Sequence, residues 1–516
     1  MPQQEAGATA ASTAAARRRA ALAGVAAAAA GIGAAELTAL LISPRSSPLF
    51  AAGSLVIDLA PSWLKDAVIG LFGTADRIVI IVSVALLVLV LAALAGLLES
   101  SRPPWGRVLL GAVAGLALLA AITRADASPT WAVPSLLAAG VGVPLLARLS
   151  RQADAVADEG ERGPSRRTFL VSSGLALTLG VLAAVAARAA ASGIQAVEAA
   201  RRLFPLPDPA VPAPPAPAGA ALEVPGLAPL ITPNEHFYRI DTALIVPSID
   251  PAGWTLTVNG MVERELTLTF DELLALPMEE SCTTLACVSN PVGGGLIGNA
   301  LWLGHPIRNL LARARPQPGA DMVLSRSVDG FTASTPLEAL TDDRNAILAV
   351  AMNGQPLPSV HGFPVRMVVP GLYGYVSATK WVTELKVTTF AQDAAYWTHR
   401  GWSERGPVKL SSRIDTPRRS AAAGPVTIAG VAWSQHTGIS AVEVRLDDGP
   451  WREAELAEAI SADTWRQWSL RCDATPGRHT ATVRATDANG MVQDATVRDV
   501  VPDGATGLHS RVFDVS

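Results

Sequence analysis

The chain has 516 residues, half of them hydrophobic and 17% charged, with a net charge of -4 at neutral pH. That length accommodates about three domains, and the charge balance gives no basic footprint for nucleic acid. Three cysteines, Cys282, Cys287 and Cys472, without C-x-x-C spacing exclude a disulfide framework and a cysteine zinc site.

The apolar excess is confined to the first 190 residues. Residues 1–19 form a tail ending in Arg17, Arg18 and Arg19, expected to be cytoplasmic. Residues 20–190 form a transmembrane region with five apolar stretches, at about 20–43, 78–98, 107–123, 131–149 and 168–190. Each approaches the roughly 20 residues that a helix needs to cross a bilayer. Arginines set the expected orientation. The tail, the loop between Arg102 and Arg107, and the loop with Arg148, Arg151, Arg162, Arg166 and Arg167 then share the cytoplasmic side. Five spans place everything after residue 190 outside the cytoplasmic (inner) membrane. Ser165-Arg166-Arg167-Thr168-Phe169-Leu170, just before the fifth stretch, is similar to a twin-arginine export signal. Ordinary positive-inside anchoring is the plainer use of the same arginines. All seven histidines lie at 236 or later, so the apolar stretches lack the paired histidines of a b-type haem. Their spans carry almost no charge, which points to an anchor rather than a transporter.

Residues 191–230 read as a linker. Its Pro- and Ala-rich part, 204–229, favours extended polyproline geometry and is expected to act as a semi-rigid spacer. In 231–405, Trp254 to Gly260 alternates like a strand. Thr269 caps a short helix with Glu272 as capping-box partner, and the run from Trp302 leads into another helix. Strands and short helices alternate without a long βαβ rhythm, which predicts an α+β domain. In 406–516, short alternating segments at 426–433, 439–446, 465–470 and 480–485 are separated by turns at 447–450 and 487–490. That spacing predicts an all-β sandwich.

Chemistry concentrates around Cys287. It stands in Thr-Leu-Ala-Cys-Val-Ser-Asn (284–290), before Gly293-Gly294-Gly295 and Ile297-Gly298-Asn299-Ala300-Leu301-Trp302. A thiolate suits a soft, redox-active metal; a small buried hydrophobe is the plain alternative. Further on come His361-Gly-Phe-Pro-Val-Arg366-Met-Val-Val-Pro370-Gly371 and Ser377-Ala-Thr379-Lys380-Trp381. Arg366 offers a fork of donors for phosphate and Lys380 a point charge. Backbone amides between Gly371 and Thr379 are candidates for an anion nest.

These runs resemble the sulfite-oxidase family of molybdenum enzymes, over about 170 residues from Asn234 to Trp402. The resemblance implies that Cys287 ligates the metal and that Asn234, Phe237 and Tyr238 touch the pterin. It further implies that His361, Arg366, Ser377, Thr379 and Lys380 hold the pterin and its phosphate. The cofactor would be molybdenum-molybdopterin, with no haem expected. The implied reaction is two-electron oxygen-atom transfer on a small sulfur- or nitrogen-containing substrate, with a separate electron partner, a cytochrome or quinone. The C-terminal region is similar to the family's immunoglobulin-like module, which often forms homodimers; a rigid buttress is equally open.

The pattern departs from the family in two places. An arginine pair follows the cysteine in sulfite oxidases, whereas Val288-Ser289-Asn290-Pro291-Val292 stands here. The family's tyrosine before K-G-F is unmatched, the local stretch being Tyr396-Trp397-Thr398-His399-Arg400-Gly401-Trp402. His399, Arg400 and Tyr375, with Tyr373, are the candidate catalytic and substrate contacts; the Trp/His/Arg cluster reads equally as a last structural turn. The expectation is therefore a membrane-anchored bacterial member of the family. A methionine-sulfoxide-type reductase and a cofactor-less binding or assembly protein stay open.

Overall fold

The computed structural model describes residues 2–43, 46–59, 76–124, 127–159, 164–191, 201, 204–243, 246–422 and 424–516. Residues 60–75, Arg162 and the first part of the linker lie outside these residues. The chain forms two compact units, Met1–Gln195 and Ala196–Ser516.

The first unit is helical: α1 (Pro2–Ile42), α2 (Pro48–Leu59), α3 (Asp76–Ser101), α4 (Trp105–Ile122), α5 (Ala132–Glu159) and α6 (Pro164–Ala191). Alanine's high helix propensity carries α1 back through the expected tail. Among the described residues, four segments are long and apolar enough to cross a membrane: Ala14–Ile42, Trp105–Ile122, Pro129–Val156 and Arg166–Ala187. Within α3, Leu86–Ser101 is a shorter apolar helix, at the second expected stretch. Small residues bring α1 close to three neighbours. A Cβ on Gly24 would collide with the Ala92 carbonyl of α3, one on Gly31 would stand 2.6 Å from the Ala138 oxygen of α5, and one on Gly33 2.5 Å from the Gly180 oxygen of α6. Large apolar side chains, among them Leu116, Leu136, Leu175, Leu179 and Leu182, face outward. Two acids are buried, each with a partner. Glu36 accepts from the Ser47 hydroxyl, and Glu99 pairs with Arg107 at 2.7 Å. Phe169, beside the exposed Arg166-Arg167 pair, is fully buried against Ala23, Ala26 and Leu149.

The second unit contains four sheets. Its first ten strands are β1 (Thr255–Gly260), β2 (Leu266–Thr269), β3 (Glu279–Ala286), β4 (Ile297–Pro306), β5 (Met322–Ser327), β6 (Thr332–Pro336), β7 (Ile347–Met352), β8 (Gln355–Pro356), β9 (Arg366–Val368) and β10 (Val382–Thr388). They form one sheet in the order β2-β1-β10-β5-β6 and another in the order β3-β4-β7-β8, with β9 on β7. Among the described strands of these sheets, β1 and β10 are the parallel pair and the other strand pairs are antiparallel, as suits an α+β arrangement. One apolar core joins the sheets, with Leu256, Val323 and Leu385 from the first and Leu303, Leu348 and Val350 from the second. The helix Ile307–Ala314 buries Ile307, Leu310, Leu311 and Ala314 in it, the i, i+3, i+4, i+7 stripe of a half-exposed helix. The predicted capping box is present: Thr269 N–H donates to Glu272 at 2.8 Å and Glu272 N–H to the Thr269 hydroxyl at 3.3 Å.

The remaining strands are β11 (Ser411–Thr416), β12 (Ser420–Ala421), β13 (Gly424–Trp433), β14 (Ile439–Leu446), β15 (Arg452–Glu453), β16 (Glu455–Leu456), β17 (Arg466–Ala474), β18 (Gly477–Asp487) and β19 (His509–Val515). Sheets β11-β13-β17-β16 and β12-β19-β18-β14-β15 share a core that includes Ile414, Ile428, Val442, Val444, Val483 and Phe513. An irregular excursion, 488–508, separates β18 from β19.

The Pro-rich segment is bonded along its length rather than standing free. Ala210 N–H donates to Met278 O at 2.8 Å, and Val211 O accepts from Glu280 N–H at 2.9 Å. Leu222 N–H donates to Gln467 at 2.7 Å and Ala228 N–H to Asp415 at 3.1 Å. Extended polyproline backbone has no internal hydrogen bonds, so its amides and carbonyls are available to neighbours.

Candidate active site

Cys287 is the first residue beyond β3, at the base of the loop that returns as β4. Its N–H donates to Leu296 O at 2.9 Å, and its carbonyl accepts from Asn290 N–H at 3.1 Å. The Asn290 side chain accepts from Leu296 N–H at 2.9 Å, so the loop is closed by its own polar groups. Cys287 is buried, at 8% exposure. Thr284, on the same strand, receives hydrogen bonds from Gln435 and from Trp465 N–H (2.8 Å) of the C-terminal strands region.

The Ile297 to Trp302 run builds the platform beside it. Asn299 accepts from the Thr284 hydroxyl at 3.0 Å and donates to Leu230 O at 2.9 Å. Trp302 is fully buried, its indole N–H donating to Thr283 O at 3.1 Å. The Arg366 guanidinium lies 4.9 Å from the Trp302 ring, and Phe237 meets it edge-on at 5.7 Å. Gly298 leaves room for Phe237; a Cβ there would be 2.7 Å from that ring.

Positive charge gathers on the next elements. Arg366, 5% exposed on β9, donates to His361 O at 3.1 Å and has no carboxylate partner among the described residues. Burial lowers its pKa to about 10. Lys380 is buried, bonded to Asp241 and to Val360 O (3.3 Å), and burial lowers it to about 8 against the pull of Asp241. Asp241 also accepts from Arg239 at 3.2 Å. Gly362, at φ +114°, lets the cationic stems converge: a Cβ on it would stand 2.9 Å from Arg366 Cβ and 3.2 Å from Lys380 Cβ. His361 Nε2 bonds Asn234 O at 2.9 Å. A carbonyl only accepts, so Nε2 carries the proton. Burial, then Arg366, Lys380 and Arg239, hold this ring down to about 4, hence neutral at pH 7. Arg366 and Lys380 are thus buried close together, with Asp241 bonded to Lys380 and to the half-buried Arg239.

The other expected site residues are placed as follows. Asn234 accepts from Asn353 at 2.8 Å and donates to Met352 O at 3.3 Å. Tyr238 stacks on Phe237 at 5.2 Å; burial, then the nearby Cys287, raises its pKa. Ser377 donates to Tyr373 O at 2.9 Å, and the Thr379 hydroxyl bonds that of Ser325 at 2.7 Å. The Tyr375 hydroxyl donates to Ser403 O at 2.7 Å, and its ring packs 5.9 Å from Trp402. Tyr373 is the tyrosine of this turn that feels Cys287; burial first, and that thiol among lesser causes, push it up to about 12. His399 is exposed, while Arg400 covers the Tyr396 ring at 3.5 Å and donates to Tyr396 O at 2.7 Å. Sequence reading missed Asp241 and Arg239. A buried lysine needs a counter-ion, and Asp241, two positions after the Tyr238-Arg239 pair, was the nearest acid following the aromatic stretch.

This donor set fits molybdopterin. A buried guanidinium without a carboxylate, as Arg366 is among the described residues, is costly unless an anion completes it, and the cofactor's phosphate is such an anion. Cys287, close enough to Tyr238 to act on its phenol, would supply the soft ligand.

Comparison with known proteins agrees. Residues 243–397 match the oxidoreductase molybdopterin-binding domain family. Mouse mitochondrial sulfite oxidase is 31% identical over 321 residues, 52% of this chain and 58% of the mouse protein, so the match spans little more than half of that relative. Chicken sulfite oxidase is 30% identical over 321 residues, 52% of this chain and 69% of the chicken protein. An uncharacterized oxidoreductase of Bacillus subtilis, YuiH, is 32% identical over 157 residues, 30% of this chain and 76% of its own length. With the thiol, the buried Arg366 and Lys380 and these relatives in agreement, the chain belongs to the sulfite-oxidase family of molybdopterin-dependent oxidoreductases.

Proposed function

We propose that this chain is a membrane-anchored oxidoreductase that transfers an oxygen atom to or from a small sulfur- or nitrogen-containing substrate outside the cytoplasmic membrane. The observation that carries the reading is the burial of Arg366 and Lys380, with no carboxylate on Arg366 among the described residues, close to Tyr238, on which both Arg366 and Cys287 act. When bound, the cofactor supplies a two-electron metal couple able to take up or release an oxygen atom. Cys287 holds the metal; Arg366 and Lys380 hold the phosphate, with Asn234, Phe237 and His361 against the pterin. Tyr238 and Tyr373 keep neutral phenols beside Cys287, able to donate hydrogen bonds to substrate. In the oxidative direction the substrate would gain an oxygen atom that derives from water, two protons would be released, and two electrons would pass singly to a cytochrome or quinone; in the reductive direction the partner would supply the electrons and water would leave.

The loop Val288 to Leu296 has no charged residue. That favours, as a second reading, a neutral substrate such as an organic sulfoxide or thioether over a dianion. The helical unit serves as anchor, with Arg166-Arg167 on its cytoplasmic side, and the C-terminal sandwich is an immunoglobulin-like module suited to homodimer formation.

Purified protein should contain about one molybdenum per chain, and Cys287→Ser should abolish turnover in a screen of sulfite and S- and N-oxides. Active protein without molybdenum, or full function in Cys287→Ser, would replace this reading with a cofactor-less binding or assembly role. A reporter fused after residue 516 tests the sidedness; a cytoplasmic signal overturns it.

A further inference from the structure

We propose that His509, at the start of β19 in the C-terminal sandwich, is a positioning residue for Cys287. Its ring holds Gly293 and so fixes the loop that presents the thiol. This rests on the reading of Cys287 as the metal ligand.

The loop's internal bonds, Cys287 N–H to Leu296 O, Leu296 N–H to Asn290 and Gly294 N–H to Pro291 O, set its shape. They do not stop it from moving as a body. External restraint comes from the sandwich. Arg413 on β11 donates to Gly294 O at 2.9 Å. It is itself held by Asp415 at 2.7 Å, which accepts from Ala228 N–H at 3.1 Å. The next β11 residue, Ile414, donates its N–H to His509 Nδ1 at 2.9 Å. A backbone N–H only donates, so Nδ1 is the acceptor and the proton sits on Nε2. That edge lies against Gly293, where any Cβ would overlap the ring, and Gly293 has φ +75°. Glycine is therefore required twice, for its backbone angle and for the ring. Burial and the nearby arginines keep His509 down to about 4, so the contact is made by a neutral ring at pH 7.

The excursion 488–508, which leads into His509, also approaches Tyr373 and the Cys287 loop itself. Gly504 approaches the Tyr373 hydroxyl, to which a Cβ would be 2.6 Å, and Gly507 lies beside Val292, 3.5 Å by the same measure. Long irregular loops kept within a compact unit are usually functional. Residues that hold a metal ligand's support in place typically change metal affinity or activity 10- to 100-fold when altered.

The test is hydrogen exchange on the full-length protein as purified, with steady-state kinetics alongside. His509→Asn keeps an acceptor for Ile414 N–H but removes the ring from Gly293; His509→Ala removes both. In His509→Asn, amides of Cys287, Asn290, Gly294 and Leu296 should exchange about 10-fold faster, with those of β13, β17 and β18 unchanged, and kcat should fall about 10-fold at constant KM. Exchange that quickens only in β11 and β19, or a loop as slow as in the parent, overturns the proposal. Gly293→Ala should reproduce the loop effect from the other side, which keeps the test open if His509→Ala does not fold. The exchange readout needs no cofactor. Protein without molybdenum would sink the proposed function while still deciding the role of His509.

Discussion

The two units place the same residue types in opposite ways. In 196–516, Leu256, Leu310 and Leu348 are buried and charged side chains cover the outside. In the helical unit, alanine and glycine face inward, while Leu116, Leu175 and Leu179 face outward. Water drives the first arrangement, since apolar area is removed from it. The second is the arrangement expected in the proposed membrane setting, where helices associate by close packing of small residues. Buried charge differs as well. Glu36 and Glu99 in the helices are each partnered, whereas Arg366 is buried with no carboxylate partner among the described residues. An unbalanced buried charge is costly, so its presence marks where a ligand acts.

The largest test of this contrast is Gly24→Leu. The new side chain meets the α3 backbone near Ala92 and Gly96, which cannot move aside cheaply. Loss of the helical unit's fold by more than about 3 kcal/mol is expected, read as failed recovery in detergent with the 196–516 unit still formed. Next comes a pair of lysine substitutions at exposed apolar positions, Leu179→Lys at 55% exposure and Val497→Lys at 86%. The first should cost about 3 kcal/mol of insertion; the second should stay within about 0.5 kcal/mol of the parent in thermal melts. Equal, small effects would show that the helices do not face lipid.

Arg366→Met addresses the unbalanced charge. Molybdenum content should drop 10- to 100-fold. Stability of the cofactor-free protein should hold or rise, because a buried guanidinium without a carboxylate is replaced by a side chain that suits its place over Trp302. A fall in melting temperature with unchanged metal content would make Arg366 a structural residue.

How much of this was legible in the sequence follows from how local each feature is. The Cys287 loop, the Thr269–Glu272 cap and the strand patterns depend on neighbours in the chain, and they were readable. Gly298 and Trp302 were visible as a motif, but their reason, room for Phe237 and a face for Arg366, needs β4 set against the Asn234 to Tyr238 stretch. Asp241 gains meaning only when Lys380 folds onto it. His509 and Arg413 reach the Cys287 loop from strands that no local periodicity connects to it. For the Pro-rich segment, composition indicated an extended backbone, but what it pairs with is decided by Met278, Asp415 and Gln467.

The smallest effect is expected with pH, and it separates the units again, because both relevant histidines lie in 196–516. His361 and His509 are each held near 4 in the fold, chiefly by burial, against an ordinary value of 6.5. Between those values the unfolded chain binds protons that the folded chain does not, so stability falls as pH falls. For His361, 3% exposed, lowering pH from 7 to 5.5 should cost about 1 kcal/mol. His361→Gln retains a donor for Asn234 O and removes the titration. Melting curves of the 196–516 unit should therefore shift less with acid in the variant than in the parent. The same slope in both would mean that His361 is charged or solvated in the fold, and that the cationic region around it is open to water.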